Sequence, residues 1–123
     1  FFGFLVARQI MEIIKNIDSK YITLVEAGAG KGHLARDIGE YFKNNHKTIS
    51  ERLYLIIIEP HKQYRDMQFR ETKGFFNSIE FVNAPEELPR IEGVFYSNEL
   101  LLSLMAKICS KFLYLMKIPV LLK

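Results

Sequence analysis

The stretch from Thr23 to Gly32 (TLVEAGAGKG) constrains what this chain can fold into more than any other. A short aliphatic run ends in the acid Glu26, glycines alternate at Gly28, Gly30 and Gly32, and a helical pattern begins directly afterwards. Glycine can adopt positive φ angles and lets the backbone approach a ligand closely, because it has no Cβ. The first amides of the following helix add donors at the positive end of its dipole. This order predicts a strand, a glycine turn and a helix that bind a nucleotide-like ligand.

The spacing of these glycines narrows the class of ligand. A dinucleotide fingerprint reads Gly-x-Gly-x-x-Gly, and here His33 stands in place of its last glycine. The acid Glu26 would repel a polyphosphate, whereas it would attract a ligand that carries an ammonium and a sulfonium group. The alternative is a tight turn before a buried helix, with no ligand.

Composition and charge exclude several other classes of protein. The chain has 123 residues, of which 49% are hydrophobic and 25% charged, so we expect residues 1–123 to form a single globular domain. Its net charge of +3 and its interleaved charges predict no nucleic-acid partner. Cys109 has no partner for an internal disulfide, which favours a reducing compartment and a buried, unreactive side chain. Lysines interrupt the leucine-rich end, so no membrane span is expected.

Helix and strand patterns alternate along the chain. Helices are predicted at 1–17, 33–44, 61–73 and 98–108, strands at 21–26, 52–59, 79–82 and 93–97, a polar connection at 44–47, and a further strand or edge piece within 112–122. This alternation predicts an α/β fold, a Rossmann-like open and mostly parallel sheet with flanking helices. Such sheets bind ligands beyond the carboxyl ends of their strands.

Glu59 ends the second predicted strand. At that position a carboxylate can accept both hydroxyls of a ribose. A solvated strand-end acid is the alternative interpretation. A nicotinamide dinucleotide would use the same acid, so Glu59 alone does not separate the cofactors.

Several motifs coincide with those of one known family. They are Phe2-Gly3, Ala7-Arg8-Gln9, the run 25–32 with Leu34-Ala35-Arg36-Asp37-Ile38, Glu59-Pro60 with Arg65 and Gln68, and Ser97-Asn98-Glu99-Leu100-Leu101. On these residues the chain resembles the MidA-like S-adenosylmethionine-dependent methyltransferases, which include the mitochondrial arginine methyltransferase that assists complex I assembly. The resemblance covers residues 2–101. It implies methylation of a protein side chain such as arginine, with S-adenosyl-L-methionine as cofactor.

The resemblance also implies roles for individual residues. Glu26 would orient the amino-acid end of the cofactor, Glu59 would hold its ribose, and the turn would admit it through Gly28, Ala29, Gly30 and Gly32. Asn83 and Ala84 follow the third strand, where the family reads the adenine edge, although asparagine is also a common turn residue.

Asn98 and Glu99 follow the fourth strand and would hold the methyl acceptor or the cofactor's amino-acid end. Glu99 could bind a guanidinium through two hydrogen bonds. The alternative is a helix N-cap at Asn98 with an acid in the first turn. His33, His46 and His61 have no partners at metal-ligand spacing, so no metal site is expected.

The chain departs from the family at Leu102, where the family has an acid after Asn-Glu-Leu-Leu. Family members are several times longer, so we expect this chain to be a fragment of a longer protein, and its oligomeric state stays open. The resemblance implies the cytoplasm if the protein is bacterial and the mitochondrial matrix if it is eukaryotic. Two alternatives remain, a catalytically incomplete assembly or binding module, and an NAD-dependent oxidoreductase.

Overall fold

The computed structural model of the chain describes residues 2–97 and the strand at 120–122. Its helices are α1 (Phe2–Ile14), α2 (His33–Asn45), α3 (Lys47–Ser50) and α4 (Lys62–Thr72). Its strands are β1 (Ile22–Ala27), β2 (Leu53–Ile58), β3 (Ser78–Val82), β4 (Gly93–Ser97) and β5 (Val120–Leu122), with a 3-10 turn at Pro85–Glu87. The predicted alternation of helix and strand is confirmed, and the helix predicted from Asn98 lies outside the described residues.

The strands form one parallel sheet in the order β3-β2-β1-β4-β5. From β1 the chain moves outward through β2 and β3, and then returns to place β4 on the other side of β1. The point where the strand order reverses therefore lies between β1 and β4, and open α/β sheets bind ligands at such points. The register pairs Glu26 with Tyr96 and Ala27 with Ser97 at this position.

Strand β1 is buried on both faces of the sheet, as its apolar sequence predicts. Leu24 packs in the larger cluster, which includes apolar residues of α1 and α2, whereas Val25 packs with Phe95 in a smaller cluster on the opposite face. Alternation along the strand sends neighbouring side chains to opposite faces. Glu26 therefore lies on the same face as Leu24, beneath the helices.

The structure corrects some of the predicted boundaries. The predicted polar connection at 44–47 is mostly helical, since α2 extends through Asn45 and α3 begins at Lys47. The predicted first helix ends at Ile14 rather than at residue 17. The loop after β3 contains a 3-10 turn that begins at Pro85, because proline presets its φ angle for such a turn. No helix in the described part of the chain is long and apolar enough to cross a membrane.

Gly39 lies inside α2, where glycine usually costs about 1 kcal/mol relative to alanine. A Cβ at this position would lie 2.7 Å from Phe75 Cβ and 2.8 Å from Phe76 Cε2. We expect Gly39→Ala to lower the free energy of unfolding by about 1–2 kcal/mol, because overpacking outweighs the gain in helix propensity. Urea unfolding measures the difference. A stabilisation of about 1 kcal/mol, as at an open helix position, would contradict the close packing of α2 against these rings.

Candidate functional site

The glycine turn between β1 and α2 has positive φ angles at Gly28 (72°), Gly30 (55°) and Gly32 (89°). A Cβ built on Gly30 would meet nothing within 4 Å, so the turn faces open space there. At Gly32 a Cβ would lie 3.1 Å from the Cα of Gln68 in α4. The surroundings of these two glycines therefore differ: Gly30 borders open space, whereas the missing Cβ of Gly32 lets α4 approach the turn.

Glu26 is fully buried at the carboxyl end of β1. The Tyr96 hydroxyl donates a hydrogen bond of 3.2 Å to its Oε2, while its Oε1 has no partner. Burial raises the pKa of Glu26 to about 8, against the opposing effect of the bond from Tyr96. Burial, and then the neighbouring Glu26, also raise the pKa of Tyr96. At neutral pH the carboxyl group is therefore mostly protonated when no cation lies beside it.

The sequence pattern indicates no role for Tyr96 in the site. The pattern predicts it only as part of the strand at 93–97. If β1 and β4 were known to be neighbours, a parallel register that aligns their carboxyl ends would place Tyr96 beside Glu26. The local sequence pattern, however, does not determine the order of strands in the sheet. The pairing of Glu26 with Tyr96 is a result of the sheet topology.

Glu59 directly follows β2, and its carboxylate is already held in place. Its Oε1 accepts a hydrogen bond of 3.0 Å from Gln68 Nε2. Its Oε2 accepts one of 3.2 Å from the backbone N–H of His61 and lies 3.1 Å from His61 Nδ1. A carboxylate has about four lone-pair sites, so acceptor capacity remains for a diol.

Gln68 connects the predicted ribose site with the glycine turn. Besides its bond to Glu59, its Nε2 donates a hydrogen bond of 2.8 Å to the carbonyl oxygen of Gly30, and the residue is fully buried. The resemblance included Gln68 among its motif residues without a role. One signal could have found it: Gln68 and Thr72 are polar residues four positions apart, and both lie on the buried face of α4.

We expect Gln68→Met to lower the free energy of unfolding by about 1–3 kcal/mol, because Gly30 and Glu59 each lose a buried donor. The matched control is Gln63→Met, which makes the same change at an exposed position of the same helix. Chemical denaturation of both variants measures the difference. Equal stability of the two variants would contradict the bridge between the turn and Glu59.

Asn83 follows β3 and is exposed, at the same edge of the sheet as Glu59. Arg65 joins the two positions, since its Nε donates to the carbonyl oxygen of Glu59 at 2.6 Å and its Nη2 donates to Asn83 Oδ1 at 2.7 Å. Ala84 is half-buried and directly precedes the 3-10 turn, and its carbonyl accepts the N–H of Glu87. The structure thus brings Asn83 close to Glu59 by a contact that the sequence did not predict.

The predicted acceptor residues Asn98 and Glu99 lie outside the described residues. Ser97, the last residue of β4, is buried beside Ala27 in the register, and its Oγ has no hydrogen-bond partner. No group of three metal-ligating side chains lies close together within the described ranges.

The residues at this edge fit a nucleoside that carries a positive charge. Glu26 Oε1 is a buried acceptor without a donor, and leaving such an atom unpaired is costly. An ammonium group would supply both a donor and a charge that favours the ionised carboxylate. The turn is open at Gly30, and the carboxylate of Glu59 suits a ribose. Taken together, this chemistry matches the amino acid, sulfonium and ribose of S-adenosylmethionine.

Solved structures support the same fold. An uncharacterized member of a protein superfamily, from Burkholderia thailandensis, superimposes on this chain with a TM-score of 0.59. The two sequences are 24% identical, and the match covers 81% of this chain and 26% of that protein. A second member of that superfamily from the same organism, crystallised with S-adenosyl-homocysteine bound, gives 0.57 at 22% identity over 81% of this chain and 25% of that protein. The chain thus spans about a quarter of the length of each of these two structures.

No curated protein matches the chain closely enough to count as a relative. The sequence profile of one family, described as "Putative S-adenosyl-L-methionine-dependent methyltransferase", matches residues 5–108. The matched range contains the glycine turn, Glu59 and the Ser97-Asn98-Glu99 motif. It covers most of the chain, so the chain belongs to this methyltransferase family, whose cofactor is S-adenosylmethionine.

Proposed function

We propose that this chain is the cofactor-binding part of a methyltransferase that modifies a protein side chain such as arginine. The observation that carries the proposal is the chain of contacts from Gly30 through Gln68 to Glu59, beside the unpartnered buried oxygen of Glu26. These contacts tie the carboxylate of Glu59, which would accept the ribose hydroxyls, to the open backbone turn. The membership of the family supports the reaction, and the resemblance on residues 97–101 supports the choice of acceptor.

S-adenosylmethionine, when bound, supplies a methyl group on a positively charged sulfonium. The task of the protein is then to align an acceptor with that group, since correct orientation contributes much of the rate in such transfers. Glu59 would hold the ribose hydroxyls, the backbone at Gly30 would approach the ligand, and Glu26 would pair with its ammonium group. Because Gln68 binds both Glu59 and Gly30, it would keep these groups at a constant separation.

The acceptor would lie at the end of β4, where Asn98 and Glu99 follow Ser97. A carboxylate can bind a guanidinium through two parallel hydrogen bonds and can also receive its proton. Glu99 would in this way hold and activate an arginine. The resemblance to the family, rather than this role, supports the cytoplasm of a bacterium or the mitochondrial matrix of a eukaryote as the compartment of the reaction.

Titration of the chain with S-adenosyl-homocysteine tests the cofactor site. We expect saturable heat for the unmodified chain, about 10- to 100-fold weaker binding for Glu59→Gln, and no heat with NAD, because the variant loses the charge-assisted bonds to the ribose. Glu80→Gln, on the exposed surface of β3, is the control for the loss of a carboxylate. Thermal melting confirms that both variants fold. Unchanged affinity in Glu59→Gln would contradict the ribose role, and an absence of heat in the unmodified chain would contradict the site.

A second candidate function keeps the cofactor and lacks the reaction. Leu102 stands where the family has an acid, which favours an assembly or binding module whose partner contacts the ligand edge of the sheet. Incubation with radiolabelled S-adenosylmethionine and a mixture of arginine-rich proteins separates the two candidates. Labelled protein supports the methyltransferase, whereas cofactor binding without label supports the module.

A further inference from the structure

The side chain of Arg65 joins the ends of β2 and β3 on the outer side of the site. Its Nε donates to the carbonyl oxygen of Glu59 and its Nη2 donates to Asn83 Oδ1, while its guanidinium lies 5.7 Å from the centre of the Phe81 ring. Two directional bonds and a ring contact leave this guanidinium little freedom. Arg65 therefore sets the position of Asn83 relative to Glu59.

Arg65 also sets which way the Asn83 amide is turned. A guanidinium has only donors, so the amide must direct its oxygen toward Arg65. On the other side, Glu87 has only acceptors: its Oε2 receives the Asn83 backbone N–H at 3.2 Å, and its Oε1 lies 3.4 Å from Asn83 Nδ2. Both neighbours favour the same orientation. The exposed pair of Asn83 and Glu87 thus combines an amide N–H donor with a carboxylate acceptor.

This pair presents the arrangement of hydrogen-bond donor and acceptor that complements adenine. The six-membered ring of adenine has an acceptor at N1 and an amino donor at N6, which complement an amide N–H and a carboxylate. Hypoxanthine has the opposite pattern, a donor at N1 and an acceptor at O6. The single side chain of Arg65 bridges the ends of β2 and β3, so Glu59 and Asn83 lie close together. A base attached to a ribose on Glu59 can therefore extend as far as Asn83.

We propose that Arg65 is a specificity-determining residue, which orients Asn83 so that Asn83 and Glu87 select a 6-aminopurine over a 6-oxopurine. The inference rests on the proposed function, since it requires that a nucleoside binds with its ribose at Glu59. Arg65 itself acts through Asn83 and does not touch the base. Without Arg65, the side-chain amide keeps only its longer contact of 3.4 Å with Glu87 and loses the bond of 2.7 Å from Arg65. The amide can then rotate and offer its oxygen, so the site loses most of its preference between the two purines.

The test compares the affinities of two ligands, S-adenosyl-homocysteine and S-inosyl-homocysteine, by calorimetry. We expect the unmodified chain to prefer the adenosyl compound by about 10-fold or more, because a site with fixed donors and acceptors rejects an analogue that mismatches them. In Arg65→Met the preference should fall to about threefold or less. Arg65→Lys retains a charge but cannot make both bonds, and should lose most of the preference as well. Arg70→Met changes another arginine of α4, which lines a surface cleft together with Arg65 and Asn83, and this variant should retain the preference for the adenosyl compound.

The two ligands separate failure of this inference from failure of the proposed function. Equal affinity of the unmodified chain for both compounds would overturn the role of Arg65 and leave the cofactor site intact. The role of Arg65 would also be overturned if both Arg65 variants kept the full preference for the adenosyl compound. No binding of either compound would refute the proposed function, and the inference with it.

Discussion

Replacing Glu26 with glutamine is expected to stabilise the protein at pH 8, although it removes a residue of the proposed cofactor site. The pKa of Glu26 is raised from 4.5 to about 8 by burial. In the unfolded chain the carboxyl group ionises above pH 4.5, whereas in the folded chain it keeps its proton until about pH 8. At pH values between 4.5 and about 8, unfolding therefore releases the proton of Glu26. As a result, the free energy of unfolding of the wild-type protein falls as the pH rises through this range.

The magnitude follows from the size of the shift. One pKa unit corresponds to about 1.4 kcal/mol, so the complete shift would lower the free energy of unfolding by up to about 5 kcal/mol between pH 4.5 and pH 8. Glutamine resembles the protonated acid and cannot ionise. We expect Glu26→Gln to match the wild-type protein near pH 4.5 and to exceed its stability by several kcal/mol at pH 8.

Urea unfolding at a series of pH values between 4.5 and 8 measures this difference. Glu86→Gln, which changes an exposed acid in the 3-10 turn, is the control for the loss of a carboxyl group. A constant gap between Glu26→Gln and the wild-type protein at every pH would contradict the buried, protonated state of Glu26.

The same substitution should weaken cofactor binding. A positively charged ammonium beside Glu26 favours the ionised carboxylate, and a glutamine cannot provide that charge. Loss of a hydrogen bond to a charged group costs about 1.5–3 kcal/mol, which corresponds to roughly 10- to 100-fold in affinity for S-adenosyl-homocysteine. A variant that gains stability and loses affinity would indicate that Glu26 is retained for binding at the expense of stability.

Gly93→Ala is expected to prevent the sheet from forming as described. A Cβ on Gly93 would overlap the carbonyl oxygen of Thr23 and would lie 2.6 Å from its carbonyl carbon. Both are backbone atoms of β1, so no side-chain rotation can relieve the contact, and β4 must move away from β1. We expect a loss of more than about 4 kcal/mol, which is a large part of the stability of an ordinary domain.

Gly74→Ala is the matched control for this substitution. Gly74 has a φ angle of 90°, yet a Cβ there would meet nothing within 4 Å. Its replacement should cost only about 1 kcal/mol, from backbone strain alone. Circular dichroism and urea unfolding compare the two variants. A Gly93→Ala protein as stable as Gly74→Ala would contradict the close approach of β1 and β4.

Much of this fold could be predicted because its elements follow local patterns. The apolar run at Leu53–Ile58 predicted a buried parallel strand, and the strand at Gly93–Ser97 begins and ends where the sequence indicated. Gly28, Gly30 and Gly32 predicted the turn because few other residues adopt its φ angles. The acid at the end of β2 was found from its position alone.

The contacts that complete the site could not be predicted in this way. Gln68 reaches Gly30 across 38 positions of sequence, Tyr96 reaches Glu26 across 70, and Arg65 reaches Asn83 across 18. Each contact depends on the order of strands in the sheet, which the local pattern does not contain. The resemblance included Gln68 and Arg65 among the motif residues, but the structure was needed to show what they bind.

The sequence by itself determined the elements, the glycine turn and the acids that end the first two strands, because these depend on residues near one another in the chain. Only the tertiary structure decided the charge of Glu26 and the orientation of Asn83. The charge depends on how completely packed elements exclude water from a carboxyl group. The orientation depends on which donor and acceptor the fold places on either side of the amide.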